Sequence, residues 1–207
     1  MLDSPYVRRV AVSLKFMGLP FEHESVSVFR HYEAFSAINP VVKAPTLVTD
    51  DETVLLDSSL ILEYLDRLAP PDHRLVPDGL TDFARAQRIV GLALAACEKT
   101  VQLVYEATLR PTEKQHQPWV DRVLTQLLAA YRLLEKEVGS GQTWIIGDRP
   151  LQADISAAVA WRFTQYTLPD RVVTANFPAL ARFSSRAEAL EEFFSTPLAT
   201  PLATASE

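Results

Sequence analysis

The residues from Ala69 to Gly79, APPDHRLVPDG, hold three prolines and no apolar periodicity, so no helix or strand of ordinary length runs through them. They read as a linker, and the patterns on its two sides differ. Before it, Val7, Val10, Ala11, Leu14 and Met17 recur at helical spacing behind Pro5 and stop at Gly18. The run FEHESVS, Phe21 to Ser27, alternates like a strand, and Phe29 to Ile38 reads as a short helix. TLVT and TVLL flank Asp50-Asp51-Glu52 as a hairpin, and Asp57 and Ser58 cap the apolar helix SLILEYLDRL. After the linker the periodicity is helical throughout. One long segment covers Thr81 to Leu109 and another Thr112 to Val138, with Trp119, Val123, Leu127, Tyr131 and Leu134 on one face and a stop at Gly139 to Gly141. Further helices start near Asp154, after Phe177-Pro178, and over Leu190 to Phe194, before an Ala/Thr-rich tail. The expected organisation is an α/β domain over residues 1–69, a linker over 70–79 and an all-α domain over 80–207.

Charge and cysteine usage exclude several functions. The net charge is −6 with the basic residues scattered, which offers nothing to a phosphate backbone or an anionic lipid surface. The single cysteine, Cys97, forbids an internal disulfide and a multi-cysteine metal site. No metal site is expected, and a reducing compartment, the cytoplasm, is. The chain shows neither a cationic leader with an apolar run nor an apolar stretch of membrane-spanning length.

Three places carry candidate chemistry. Ser4-Pro5-Tyr6-Val7 opens the first helix, where backbone N–H groups and the helix dipole favour an anion. A serine hydroxyl there can donate to a bound thiolate and lower the thiol pKa, although the same residues also serve as a plain N-cap. In NPVVKAPTLV, a cis bond at Ala44-Pro45 would turn the preceding backbone outward to hold an extended peptide, and a trans proline on an edge strand is the alternative. Asp57-Ser58 offers a carboxylate to an ammonium group and a hydroxyl with N–H groups to a carboxylate, a receptor for a free amino-acid head; simple capping accounts for the pair as well.

In combination these motifs resemble the thioredoxin-like N-terminal domain of the glutathione transferases, in its serine-type form with an omega/zeta-like motif. GDRPLQADISAAVAW resembles that family's glycine–aspartate turn and core helix, and FPALARFSSRAEAL its penultimate helix. The resemblance implies a thioredoxin-like domain followed by an all-α domain, with glutathione as co-substrate and no metal. It assigns Ser4 to the thiolate, the backbone of Ala44, beside Pro45, to the cysteinyl unit, and Asp57 with Ser58 to the γ-glutamyl head. His31, with Arg30 and Lys43 as rivals, falls where some members bind the glycine carboxylate. Ser4 and Val7 replace the cysteines of a Cys-Pro-Tyr-Cys motif, so conjugation or isomerisation is implied rather than dithiol exchange. A small electrophile would lie against residues such as Tyr105, Trp161 and Tyr166, although an aromatic at helical spacing is more often core than pocket, and a homodimer is implied by analogy.

Two departures from the family pattern stand out. Leu151 occupies the place of a Ser or Thr cap three residues before Asp154, so capping falls to Asp154 and the turn before it. The family also has a β-strand ahead of its serine motif, whereas only Met1-Leu2-Asp3 precede Ser4, a span of about 10 Å at most. The fold is therefore expected without its first strand, with Met1 internal to a longer native protein; an intact mass of the native protein tests this. The leading function is a detoxifying glutathione-dependent transferase. Its alternatives are a non-catalytic regulatory protein of the stringent-starvation type and a glutathione-dependent isomerase or dehalogenase.

Overall fold

The computed structural model describes residues 1–139 and 143–198, and the chain forms two compact units. One holds Met1–Leu75 with the described residues from Glu191 onward, the other Val76–Leu190. The α8 helix, Glu191–Phe194, thus belongs with the first unit, whereas the sequence boundary grouped it with residues 80–207. Gly141 and the Ala/Thr-rich tail lie outside the described residues.

The first unit starts with α1, Pro5–Phe16, which buries Val10, Ala11, Val12 and Leu14 and ends before Gly18, whose φ of +68° suits a residue without a Cβ. The stretch Phe21 to Ser27, expected as a strand, is irregular instead. A strand needs a hydrogen-bonded neighbour, and among the described residues the two strands β1, Thr46–Val48, and β2, Val54–Leu56, pair only with each other. Glu22 to Ser25 are accordingly exposed. The next helix, α2, runs Tyr32–Ile38 rather than from Phe29, because the Ser27 hydroxyl accepts from the N–H groups of Phe29 and Arg30 and holds that segment as a turn.

β1 and β2 form the expected hairpin, in antiparallel register with Thr46 opposite Leu56. Thr49 and Thr53 close its loop through backbone and side-chain bonds. The α3 helix, Ser58–Leu68, follows at once and buries Ile61, Leu62 and Leu65. α8 docks on α1 through buried groups. Arg8, fully buried, donates from Nε to Thr196 O at 2.8 Å and stacks over the Phe193 ring, which also meets Phe16 edge-on at 6.1 Å. A guanidinium at the end of a helix satisfies carbonyls that would otherwise stay bare.

The second unit is all helical. α4, Leu80–Thr108, packs against α5, Gln117–Val138, and α6, Gln152–Thr167; α6 in turn packs against α7, Pro178–Glu188. α6 is buried over almost its whole surface, and Ala153, Ala157, Ala158 and Ala160 let neighbours approach closely. α5 buries Val123, Leu127, Tyr131 and Leu134 as its pattern predicts, but Trp119 is exposed. Three polar side chains of the core pair with one another: Tyr131 donates to Ala160 O at 2.9 Å and meets Thr164, whose hydroxyl lies 2.7 Å from that of Thr100.

Asp154 carries the capping load that Leu151 cannot. Its two carboxylate oxygens accept from Ile145 N at 2.8 Å and Leu151 N at 2.9 Å. Leucine has no acceptor, so only half of a capping box exists. Burial pushes the Asp154 carboxyl up to about 6, against the opposing pull of the Ile145 and Leu151 amides.

Candidate functional site

Local backbone geometry gathers four of the predicted residues at one end of the hairpin. Thr46 pairs with Leu56, so Ala44-Pro45, just ahead of β1, and Asp57-Ser58, just after β2, flank the same rung of the ladder. The Ala44-Pro45 bond is cis and Pro45 is buried. Lys43 Nζ lies 3.1 Å from Asp57 Oδ2, a bridge between side chains 51% and 43% exposed. At that exposure it contributes little, and a competing cation can displace it.

The loop before β1 is pinned from below. Asn39, 3% exposed, donates from Nδ2 to Thr46 Oγ1 at 2.9 Å and accepts from Val41 N at 3.0 Å. The Thr46 hydroxyl donates to Lys43 O at 2.8 Å. These bonds hold the loop in one shape. Only the Asn-Pro pair that opens the segment hinted at this in the sequence.

Asp57 adopts φ +71° at the N-cap of α3, and its Oδ1 accepts from Ser59 N at 2.9 Å. That N–H, helped by Lys43 and Arg9, holds its carboxyl below the ordinary carboxylate range despite an opposing desolvation cost. Asp57 therefore presents an anion at neutral pH. Ser58, 4% exposed, is bonded by Arg9 Nη1 at 3.2 Å, and the same nitrogen reaches Ser59 Oγ at 3.3 Å. Arg9 is itself 3% exposed. Sequence reasoning missed it. The available signal was a pair of adjacent arginines, Arg8 and Arg9, inside an otherwise apolar helical pattern, which forces at least one guanidinium inward.

Ser4 is the N-cap of α1 and accepts from Val7 N in a long bond of 3.5 Å. The hydroxyl proton of an accepting serine remains available to donate, and the first turn carries no acidic residue to repel an anion. His31 stands apart as the N-cap of α2, exposed, with Nδ1 accepting from Ser27 N at 3.2 Å. Among the aromatic candidates, Trp161 is a correction. It is 3% exposed, packed edge-on to Tyr131 at 5.2 Å and Phe177 at 5.5 Å, and so belongs to the core of the second unit. Tyr105 is exposed and Tyr166 half-buried. Among the described residues no three His, Cys, Asp or Glu side chains gather as metal ligands would, and no helix is long and apolar enough to cross a membrane.

A thioredoxin-like unit with a serine at the start of its first helix and a cis-proline before its hairpin, followed by an all-α unit, defines the glutathione transferase fold. The sequence matches the family descriptions "Glutathione S-transferase, N-terminal domain" over residues 1–73 and "Glutathione S-transferase, C-terminal domain" over residues 117–186. It is 30% identical over 164 residues to maleylacetoacetate isomerase of Pseudomonas aeruginosa, covering 73% of this chain and 72% of that one. A crystal structure of a glutathione S-transferase from Methylobacterium radiotolerans, in complex with glutathione sulfonate, is similar with a TM-score of 0.88 and 27% identity over 99% of this chain and 96% of the other. A glutathione transferase family member from Pseudomonas fluorescens with bound glutathione matches with a TM-score of 0.83 and 27% identity, over 97% of each chain. The chain belongs to the glutathione transferase family.

Proposed function

We propose that this protein is a glutathione-dependent transferase that holds the tripeptide along its first unit and activates the thiol toward a small electrophile. The observation that carries this reading is the junction at the end of the hairpin, where Lys43, Ala44-Pro45 and Asp57-Ser58 meet across one rung. Asp57 supplies the anion for the γ-glutamyl ammonium, and Lys43 yields its place on Oδ2. Ser58 and the first amides of α3 take the α-carboxylate. The Ala44 backbone holds the cysteinyl unit by β-type bonds. His31, Arg30 and the released Lys43 are the basic side chains available to the glycine carboxylate.

The Ser4 hydroxyl then donates a hydrogen bond to the sulfur and keeps its proton. A donor at a helix N-terminus favours the thiolate over the thiol, so the thiol proton leaves to solvent at lower pH than in free solution. The thiolate forms its bond to an electrophilic carbon, and the departing group carries away the electron pair. Isomerisation is a second reading, favoured by the resemblance to maleylacetoacetate isomerase over 73% of the chain; there the same thiolate adds and later leaves. A reducing compartment, the cytoplasm, suits a thiol co-substrate and a chain whose Cys97 is a buried free thiol. The exposed stripe Leu60, Tyr64 and Leu68 on α3 suits a homodimer contact.

Calorimetric titration of glutathione into the full chain and its Ser4→Ala variant tests the proposal. Binding by both, with the bound thiol titrating at higher pH in Ser4→Ala, is expected. Absence of binding to the unmodified chain rejects the reading, and binding without turnover of any electrophile in a broad panel moves it to a non-catalytic protein.

A further inference from the structure

Val42 has a φ of +52°, a left-handed conformation that a β-branched residue rarely takes and glycine takes freely. Relaxed forms outnumber an L residue in that conformation roughly five- to thirtyfold unless neighbouring bonds hold it. Those bonds come from one residue. Asn39 opens a turn that Val42 closes by donating its N–H to Asn39 O at 2.9 Å, with Pro40 at the second position. The Asn39 side chain then grips both ends of the segment, accepting from Val41 N and donating to Thr46 Oγ1. That donation leaves the Thr46 hydroxyl proton for Lys43 O, which it meets at 2.8 Å. Val42 is thus fixed from both sides, by Asn39 directly and by Asn39 through Thr46. Rotating its φ back to negative values swings Lys43 and Ala44 off this anchor, and with them the bridge from Lys43 to Asp57.

We propose that Asn39 is a positioning residue for the Ala44 backbone, and that it works by holding Val42 in the left-handed conformation that aims Lys43 and Ala44 at the ligand. The inference rests on the glutathione reading, in which the Ala44 backbone takes the cysteinyl unit. Without the Asn39 side chain Val42 relaxes and the binding-competent loop becomes a minor form. Apparent affinity then falls with the fraction that stays competent. A glycine at position 42 has no such preference to overcome, so it removes the need for the clamp. The Asn39 side chain is required because of the residue that stands three positions further on.

Calorimetric titration of glutathione into the full chain and a set of single and double variants tests the coupling. Asn39→Ala is expected to bind about tenfold more weakly than the unmodified chain, and Asn39→Ala with Val42→Gly to return within about threefold of it. Asn39→Ala with Val41→Gly should stay weak, because Val41 has no positive φ to relieve and a glycine there only loosens the loop. Thr46→Val removes the link to Lys43 O, and it too should bind weakly alone and recover with Val42→Gly. If Asn39→Ala does not fold, as judged by its circular dichroism melt, the Thr46→Val pair carries the test. Binding by Asn39→Ala as tight as that of the unmodified chain overturns the proposal. So does a loss that Val42→Gly does not restore, or that Val41→Gly restores equally, since either reduces Asn39 to a structural role. In each of these cases binding by the unmodified chain leaves the glutathione reading standing. An unmodified chain that does not bind glutathione overturns both.

Discussion

Asp154 in the helical unit and Asp57 in the first unit are both carboxylates at the start of a helix, and their surroundings are opposite. Asp154 is 1% exposed and spends both oxygens on backbone amides of its own unit. Asp57 is part-exposed, spends one oxygen on Ser59 N and holds only a surface lysine with the other. The pKa directions follow: burial raises Asp154 to about 6, whereas the Ser59 N–H and nearby cations lower Asp57. Glu135 repeats the first pattern, accepting from Ala179 N at 2.7 Å and Leu180 N at 2.8 Å at the start of α7. A cap closed on the protein holds helices together. A cap left half open keeps acceptor capacity for a ligand.

That contrast can be broken most directly at Asp154. Asp154→Ala leaves two buried amides without an acceptor and should cost about 4 kcal/mol, or roughly 10 °C in a thermal melt; a shift of only a degree or two would mean that these amides find other partners. The pH dependence comes next. An acid whose folded pKa lies above its unfolded value stabilises the fold while protonated, fully below about pH 4, and the contribution is lost as pH rises through about 6. Stability should fall over that window by an amount on the order of 2–3 kcal/mol, and Asp154→Asn should flatten the slope. Glu135→Ala should cost about 2 kcal/mol, with Glu135→Gln recovering part of it in chemical denaturation. The smallest effect belongs to Lys43→Ala, which should change stability by less than about 1 kcal/mol. A loss there as large as that of Glu135→Ala would erase the distinction between the two kinds of cap.

The sequence was most readable where a structural need is local. The positions of α1, α3 and the hairpin follow from Pro5, Gly18, the Asp50-Asp51-Glu52 turn and Asp57 within a residue or two. The load on Asp154 was legible because leucine lacks an acceptor. Elsewhere the local signal misled. FEHESVS alternates like a strand, but alternation states only what a strand would bury and cannot supply the neighbour it must pair with. Trp161 fits either a pocket or a core by spacing alone, and its ring contacts put it in the core. The bonds of Arg9 to Ser58 and of Asn39 to Thr46 were invisible in the sequence because the partners lie 49 and 7 residues away and only folding brings them into bonding distance.

By itself the amino-acid sequence determined that helices begin near Pro5 and Asp57, that a hairpin lies between them, and that Ser4 and Asp57 stand at helix N-termini. Those properties depend on backbone sterics and on residues a few positions apart. Tertiary structure alone decided which arginine lies behind Ser58, that α8 returns to α1 through Arg8 and Phe193, and which caps close on protein and which stay open. Burial sets these outcomes. A polar group's partner, its charge state and its availability to a ligand depend on which distant atoms exclude water from it.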